Sequence, residues 1–182
     1  MLPKDGMKEV EGFVPHPAVK RGDLVKVRAW LSWCKDVDCL DERERTPLII
    51  AAIHNRLEIA KLLLKRGANT CSKDDCGLTA LHYAASGQNF PLCDLLLTNK
   101  ANPGLLTVSG ASSLSMLLSM PVVEEEAPEV LRISQMMLKA GCNIDSSNHR
   151  GQTALHFACI NSSSELIQTV IDAGASLGAI TE

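Results

Sequence analysis

His156 and Cys159 carry the side-chain types of a nucleophilic pair. They stand three positions apart, and on a helix that spacing sets an imidazole beside a thiol. Asp74, Asp75 and Cys76 form a second cluster; the two carboxylates penalise the thiolate and so dull the cysteine. Cys39 and Cys71 each follow a comparable position, Lys35 and Gly67, by the same short step. Read as equivalent loop positions of stacked units, they are roughly 8–10 Å apart. A disulfide needs Cα atoms within about 7 Å, and zinc–sulfur bonds are near 2.3 Å, so neither a bridge nor a shared zinc is expected. Gly104 and Gly110 flank Leu105–Ser109, without the spacing or the following lysine of a phosphate loop. The sequence therefore predicts no catalytic residue, no cofactor and no metal.

What positions these residues is a phrase written twice. Gly77-Leu78-Thr79-Ala80-Leu81-His82-Tyr83-Ala84 returns as Gly151-Gln152-Thr153-Ala154-Leu155-His156-Phe157-Ala158, with a weaker copy at Arg45-Thr46-Pro47-Leu48-Ile49-Ile50-Ala51-Ala52. Thr46, Thr79 and Ser112 recur at one constant interval (79 − 46 = 112 − 79 = 33). A fixed period of this size marks a stacked array of small units. In that frame Cys159 occupies the second small position of the pair, matching Ala52 and Ala85, which is a packing role. Leu57–Leu64 and Pro91–Thr98 have helical apolar spacing, and Lys65-Arg66-Gly67 is a helix end. Thr46, Thr79 and Thr153 read as N-caps.

These motifs resemble ankyrin repeats, over roughly residues 13 to 182. The resemblance implies an all-α ankyrin-repeat solenoid of about five helix–loop–helix units with projecting loops: 13–45, 46–78, 79–111, 112–152 and 153–182. Residues 1–12 are expected to be a flexible N-terminal segment. The first unit is divergent, and Pro15 and Pro17 predict a short or irregular first helix. In the fourth unit Gly110–Ser115 replaces the usual phrase, and the step from Lys100 to Gly141 exceeds the repeat interval (141 − 100 = 41, against 33). The extra residues fall near 120–128, where Glu124-Glu125-Glu126 reads as a solvated loop between the two helices. The family's histidine, here His82 and His156, is structural and bonds to adjacent loops; Ile49 and Ser115 stand in its place in the second and fourth units, where that bond is expected to be missing.

By the same resemblance, a protein partner binds the concave face. The loop tips supply Asp41, Arg43, Arg45, Asp74, Asp75, Cys76, Leu78, Val108, Ser109, Asn148, His149, Arg150 and Gln152. The variable helix positions are Ile53, His54, Met120, Ile160 and Asn161. Replacing Asp74, Asp75, Asn148 and Arg150 together is expected to abolish capture without disturbing the fold. Of Trp30 and Trp33, one caps the core and the other is an exposed anchor.

The repeat pattern, its family resemblance and the lack of a catalytic constellation point to a non-enzymatic binding module, an adaptor or stoichiometric inhibitor. The chain has 182 residues, 46% of them hydrophobic and 3% aromatic, so its core is aliphatic and suits close helix packing. The net charge of −3 argues against a nucleic-acid partner. No apolar run reaches about 18 residues, so no membrane insertion is expected. The mixed-charge N-terminus has no secretory character, and seven cysteines with no Cys-x-x-Cys pair fit free thiols in cytoplasm or nucleus. A monomer is expected. The other reading is a regulatory ankyrin portion of a larger enzyme, channel or ubiquitin-ligase-type assembly.

Overall fold

A computed structural model describes residues 15–122, 124–160 and 164–178; the expected flexible segment 1–12 and Asn161 lie outside them. Ten helices among the described residues form five consecutive pairs: α1 (Pro15–Arg21) with α2 (Leu24–Trp33), α3 (Pro47–Ile53) with α4 (Leu57–Lys65), α5 (Ala80–Ser86) with α6 (Phe90–Thr98), α7 (Ser113–Leu118) with α8 (Ala127–Lys139), and α9 (Ala154–Ile160) with α10 (Ser164–Asp172). The first helices pack in one layer, α1 on α3 on α5 on α7 on α9. The second helices form a parallel layer, α2 on α4 on α6 on α8 on α10. The chain is thus an all-α solenoid. None of its described helices is long and apolar enough to cross a membrane.

Most of the pairs share one local chemistry. A hydroxyl caps the first helix: Thr46, Thr79 and Ser112 accept from the backbone N–H three positions on. A residue with positive φ reverses the chain between the helices, at Gly22, Asn55 and Gln88. A second left-handed residue ends the outer helix, at Gly67, Lys100, Gly141 and Gly174. The side chains between these punctuation points face their neighbours. Leu48, Leu81 and Leu114 from the first layer, and Ile59, Leu63, Leu92, Leu96, Ile133 and Met137 from the second, are all almost fully buried. One apolar cluster runs unbroken from Ala18 to Ala175. Ala51, Ala84 and Ala158 of the first layer are fully buried at one register position, which Leu117 holds in the fourth unit. At the N-terminal end Trp30 is buried and Trp33 is 44% exposed.

Several sequence expectations do not hold in the structure. Pro15 and Pro17 do not shorten α1, which has seven residues like α3, α5 and α9. Prolines in a first turn lack only N–H groups that have no helical partner there. The extra residues of the fourth unit are not simply a loop. Glu124–Glu126 form a 3-10 turn that leads into α8, and α8 has 13 residues where α4 and α6 have nine. Pro128 and Glu129 favour that helix start, by fixed φ and by negative charge near the positive helix end. Arg132 on α8 then reaches Asp94 on α6 at 3.5 Å and Glu129 at 3.0 Å. Finally, Cys39 and Cys71 are not equivalent. The turns opened by Asp36 and Asn69 accept the N–H of Asp38 and Cys71 respectively, so Cys71 aligns with Asp38. All seven cysteines lie among the described residues and none is in a disulfide.

The histidine of the repeated phrase is structural at three positions, one of which lies outside the copies of the phrase. His82 Nδ1 accepts from the Thr79 N–H at 3.1 Å, closing a reciprocal cap. His156 does the same for Thr153 at 3.1 Å, which commits its Nδ1 away from Cys159. His16 stands two repeat intervals before His82 (82 − 16 = 66). It turns Nε2 to the carbonyls of Cys39 and Arg45 at 3.1 and 2.9 Å. Ser115 is no gap in the fourth unit: its hydroxyl accepts the Ser112 N–H at 3.0 Å, replacing the imidazole with a smaller acceptor.

Burial lowers His82 to a pKa of about 4 from 6.5, against the opposing pull of the Leu105 and Ala111 carbonyls. The unfolded chain therefore takes the proton more readily. Its contribution to stability is present above about pH 6.5 and is lost as pH falls towards 4. His54 is lowered by burial and by nearby Lys20, Arg56 and Arg45, so it acts in the same direction. The urea midpoint is expected to fall between about pH 7 and pH 5, and to fall less in His82→Leu, which does not titrate. A midpoint equally pH-dependent in both proteins would contradict the assignment. In thermal melts, Leu81→Ala is expected to cost roughly 2–5 kcal/mol and Thr79→Ala about 1 kcal/mol; equal losses would contradict the burial of Leu81.

Candidate functional site

The row of loop tips is the part of the surface that the helices hold out and do not cover. Every tip is a tight hairpin closed the same way. Asp41, Asp74, Thr107 and Asn148 each donate N–H to a carbonyl four positions on, and each of their own carbonyls accepts from the N–H three positions on. The residue that donates this second bond needs left-handed backbone, supplied by Gly77, Gly110 and Gly151. This geometry points two further N–H groups inward, and the first side chain of the turn satisfies them. Asp74 Oδ1 accepts from Cys76 N and Leu78 N at 3.0 and 2.8 Å. Asn148 Oδ1 accepts from Arg150 N and Gln152 N, both at 3.0 Å. Asp41 Oδ1 accepts from Arg43 N and Arg45 N, both at 2.9 Å. Thr107 Oγ1 accepts from Ala111 N at 3.0 Å.

Neighbouring tips are tied together by main chain. Asp75 N donates to Arg43 O at 3.2 Å, Val108 N to Cys76 O at 2.9 Å, and His149 N to Ser109 O at 3.0 Å. Lys73 Nζ adds a bond to Leu106 O at 2.8 Å. The ladder leaves no room at two of the turn glycines. A Cβ on Gly77 would stand 2.8 Å from Val108 N, and one on Gly110 would stand 2.9 Å from Ser147 O.

Some expected contact residues are therefore part of the scaffold. Asp74 is buried, at 4% exposure, and its second oxygen takes the Tyr83 hydroxyl at 2.6 Å; burial and this carboxylate push the Tyr83 phenol well up. Asp41 is engaged by Arg45, at 2.7 Å, and Asn148 by Gln152, at 3.0 Å. Burial raises the Asp41 carboxyl, but hydrogen bonds from Arg45 and Arg43 outweigh it and hold it below the usual range. These positions are constrained because the turn must pair its inward N–H groups. Asp74 and Asn148 consequently cannot serve as fold-neutral probes of binding.

Asp75, Cys76, Leu78, Val108, Ser109 and His149 come together. With Thr107, Ala111 and Met116 they wall an open depression of about 520 Å³. The surface it exposes is mostly apolar, and Val108 is 69% exposed. Met116 comes from α7, at the position that Ile50, Tyr83 and Phe157 hold in the other units. That stripe is legible in the spacing (83 − 50 = 116 − 83 = 33, then 157 − 116 = 41), but it precedes the helix positions expected to vary. Those positions, Ile53, His54, Met120 and Ile160, stand at the far ends of the first-layer helices, away from the tips; Ile160 is 68% exposed.

The oxygen atoms of Asp74 and Asp75 and the sulfur of Cys76 lie within 4.8 Å of one another. Asp74 already accepts three hydrogen bonds there, and Asp75 pairs with Arg43 at 3.3 Å. A hydrogen bond to Asp75 and its charge push the Cys76 thiol up, which suppresses its reactivity. The cluster is a braced turn.

Known proteins match this chain in sequence. A family model described as ankyrin repeats, in three copies, matches residues 16–106, and one described as ankyrin repeat matches 150–179. The interval between them is the divergent fourth unit, whose helices nonetheless keep the common plan. The chain is 29% identical to inversin of Homo sapiens over 166 residues, covering 90% of this chain and 15% of inversin. It is 24% identical to protein lin-12 of Caenorhabditis elegans over 164 residues, covering 85% and 11%. For protein glp-1 of the same organism the figures are 26% over 140 residues, covering 72% and 11%. The chain thus spans less than a sixth of the length of these relatives.

Asp74→Ala is expected to destabilise the fold by about 1–3 kcal/mol, since it strands the part-buried donors of Cys76, Leu78 and Tyr83. Asp75→Ala is expected to leave the urea midpoint unchanged. Equal midpoints for the two variants would contradict the division between scaffold and surface.

Proposed function

The chain belongs to the ankyrin repeat family, whose repeats are protein–protein interaction modules, and from that premise we propose that it is a non-enzymatic adaptor or stoichiometric inhibitor. It binds a protein partner through its concave face. The observation that carries this reading is the aliphatic depression among three braced tips, lined by Leu78, Val108, Ala111 and Met116. Apolar side chains held open on a rigid frame favour burial by a partner, at about 25 cal/mol per Å² removed from water, with little ordering cost.

The same reading has the chain acting as a monomer towards protein rather than nucleic acid. Seven unbridged cysteines support a reducing compartment, cytoplasm or nucleus. A second reading, a regulatory array within a longer polypeptide, is supported by the length of the relatives, of which the chain matches 15% in inversin and 11% in lin-12.

The test is capture of partners from a lysate by wild type and by Met116→Asp and Val108→Asp, each checked by circular dichroism. Specific partners are expected to be lost from both folded variants by roughly ten-fold or more. Unchanged capture by both would remove the concave face as the binding surface.

A further inference from the structure

Glu44 breaks the rule of its own turn. It stands one repeat interval before Gly77 (77 − 44 = 33), at the left-handed position of the first tip, with φ of 58°. The other tips use glycine there, and a Cβ would press on the next tip at Gly77 and Gly110. The bond from the second tip to the first is correspondingly the longest of the ladder, 3.2 Å against 2.9 and 3.0 Å. A side chain is thus kept where backbone energetics favour none. Lys100 offers the contrast. It too replaces a glycine at positive φ, but at the outer-helix end, where its counterparts Gly67, Gly141 and Gly174 have nothing within 4 Å of a built Cβ.

The charges along the tips are ordered. On the first tip Arg45 is paired with Asp41 and Arg43 with Asp75. Glu42 and Glu44 are exposed and enter no ion pair among the described residues. Residues 101–112, which include the third tip, carry no charge of their own, and the Lys73 ammonium set against them is engaged by the Leu106 carbonyl. The fourth tip presents the exposed guanidinium of Arg150. The rim therefore runs from anionic, through the aliphatic depression, to cationic.

Building on the concave-face reading above, we propose that the partner is an extended peptide segment. It places an aliphatic or aromatic side chain in the depression and a lysine or arginine against Glu42 and Glu44. Successive tips are separated by roughly 10 Å, and an extended chain advances about 3.3 Å per residue. The basic residue then lies about six residues from the apolar anchor, and an acidic residue about three residues beyond it meets Arg150. Glu44 is held in a strained turn because that turn aims a carboxylate at the peptide's cation.

The experiment selects phage-displayed random dodecapeptides on the full chain, then measures a fluorescein-labelled consensus peptide by anisotropy. Enriched peptides are expected to carry Lys or Arg about six residues from an apolar residue. Met116→Asp is expected to abolish binding, and Glu42→Gln with Glu44→Gln to weaken it about ten-fold, with an effect that shrinks in high salt. Glu44→Gly is expected to raise Tm by about 2–4 °C while weakening the peptide. Lys100→Gly is expected to raise Tm similarly and leave the peptide's affinity unchanged. Consensus peptides sensitive to Met116→Asp but indifferent to both glutamates overturn the charge assignment and leave the concave face standing. Peptides indifferent to all these changes, or no enrichment over a chain carrying Met116→Asp, overturn both.

Discussion

A pair of short helices cannot bury its own apolar residues. The seven-residue first helix and nine-residue second helix of a unit such as α5–α6 present apolar residues on more than one face, and only a like unit on either side removes them from water. Leu81, Leu92 and Leu96 are buried because α3–α4 and α7–α8 cover them. Stability in such an array is a sum of small units and their interfaces. The rest of the architecture follows. The repeat length is fixed, small residues line the first-layer contacts, and irregularity is tolerated only where it does not enter the stack. The fourth unit shows the limit, since its extra residues extend α8 and its leading turn while Leu114, Leu117, Ile133 and Met137 remain buried.

Stacking also decides where recognition takes place. Because neighbours cover both faces of the helices, the tips are left as a projecting edge, and their spacing is inherited from the helix layers. A bare hairpin of this size would fluctuate. Here one side-chain acceptor in each turn binds inward N–H groups, and one main-chain bond joins each tip to the next. The outcome is a rigid rim with side chains such as Val108 and His149 turned outward. Rigidity of this kind lowers the entropy lost when a partner docks.

The helices and their order were legible in the sequence because they depend on period and apolar spacing. Thr46 and Thr79 as caps, Gly67 as a helix end and the disturbed fourth unit were all readable from one chain. His16 was missed: it stands at twice the period from His82 (82 − 16 = 66), but it lies outside the copies of the phrase, between two prolines that hide the register. The tips were harder. Asp74 and Asp75 are adjacent and chemically identical, yet one is a buried brace and the other a surface charge. That division depends on the turn's hydrogen bonds, which no local pattern announces, although the recurrence of Asp41, Asp74, Thr107 and Asn148 at one register position hints at it. The depression was partly legible. Leu78, Val108 and His149 were expected at the tips, whereas Met116 required knowing which turn of α7 faces them.

The account rests on the tips being ordered before any partner arrives. Residue-resolved amide hydrogen exchange of the free chain tests this most directly. The N–H groups of Leu78, Val108, Ala111, His149 and Gln152, all bonded within or between tips, should exchange slowly, at rates approaching those of the buried helices α5 and α6. Exchange of these five amides at the speed of an unstructured peptide, with the helices protected, would show that the rim is not held and would contradict the account.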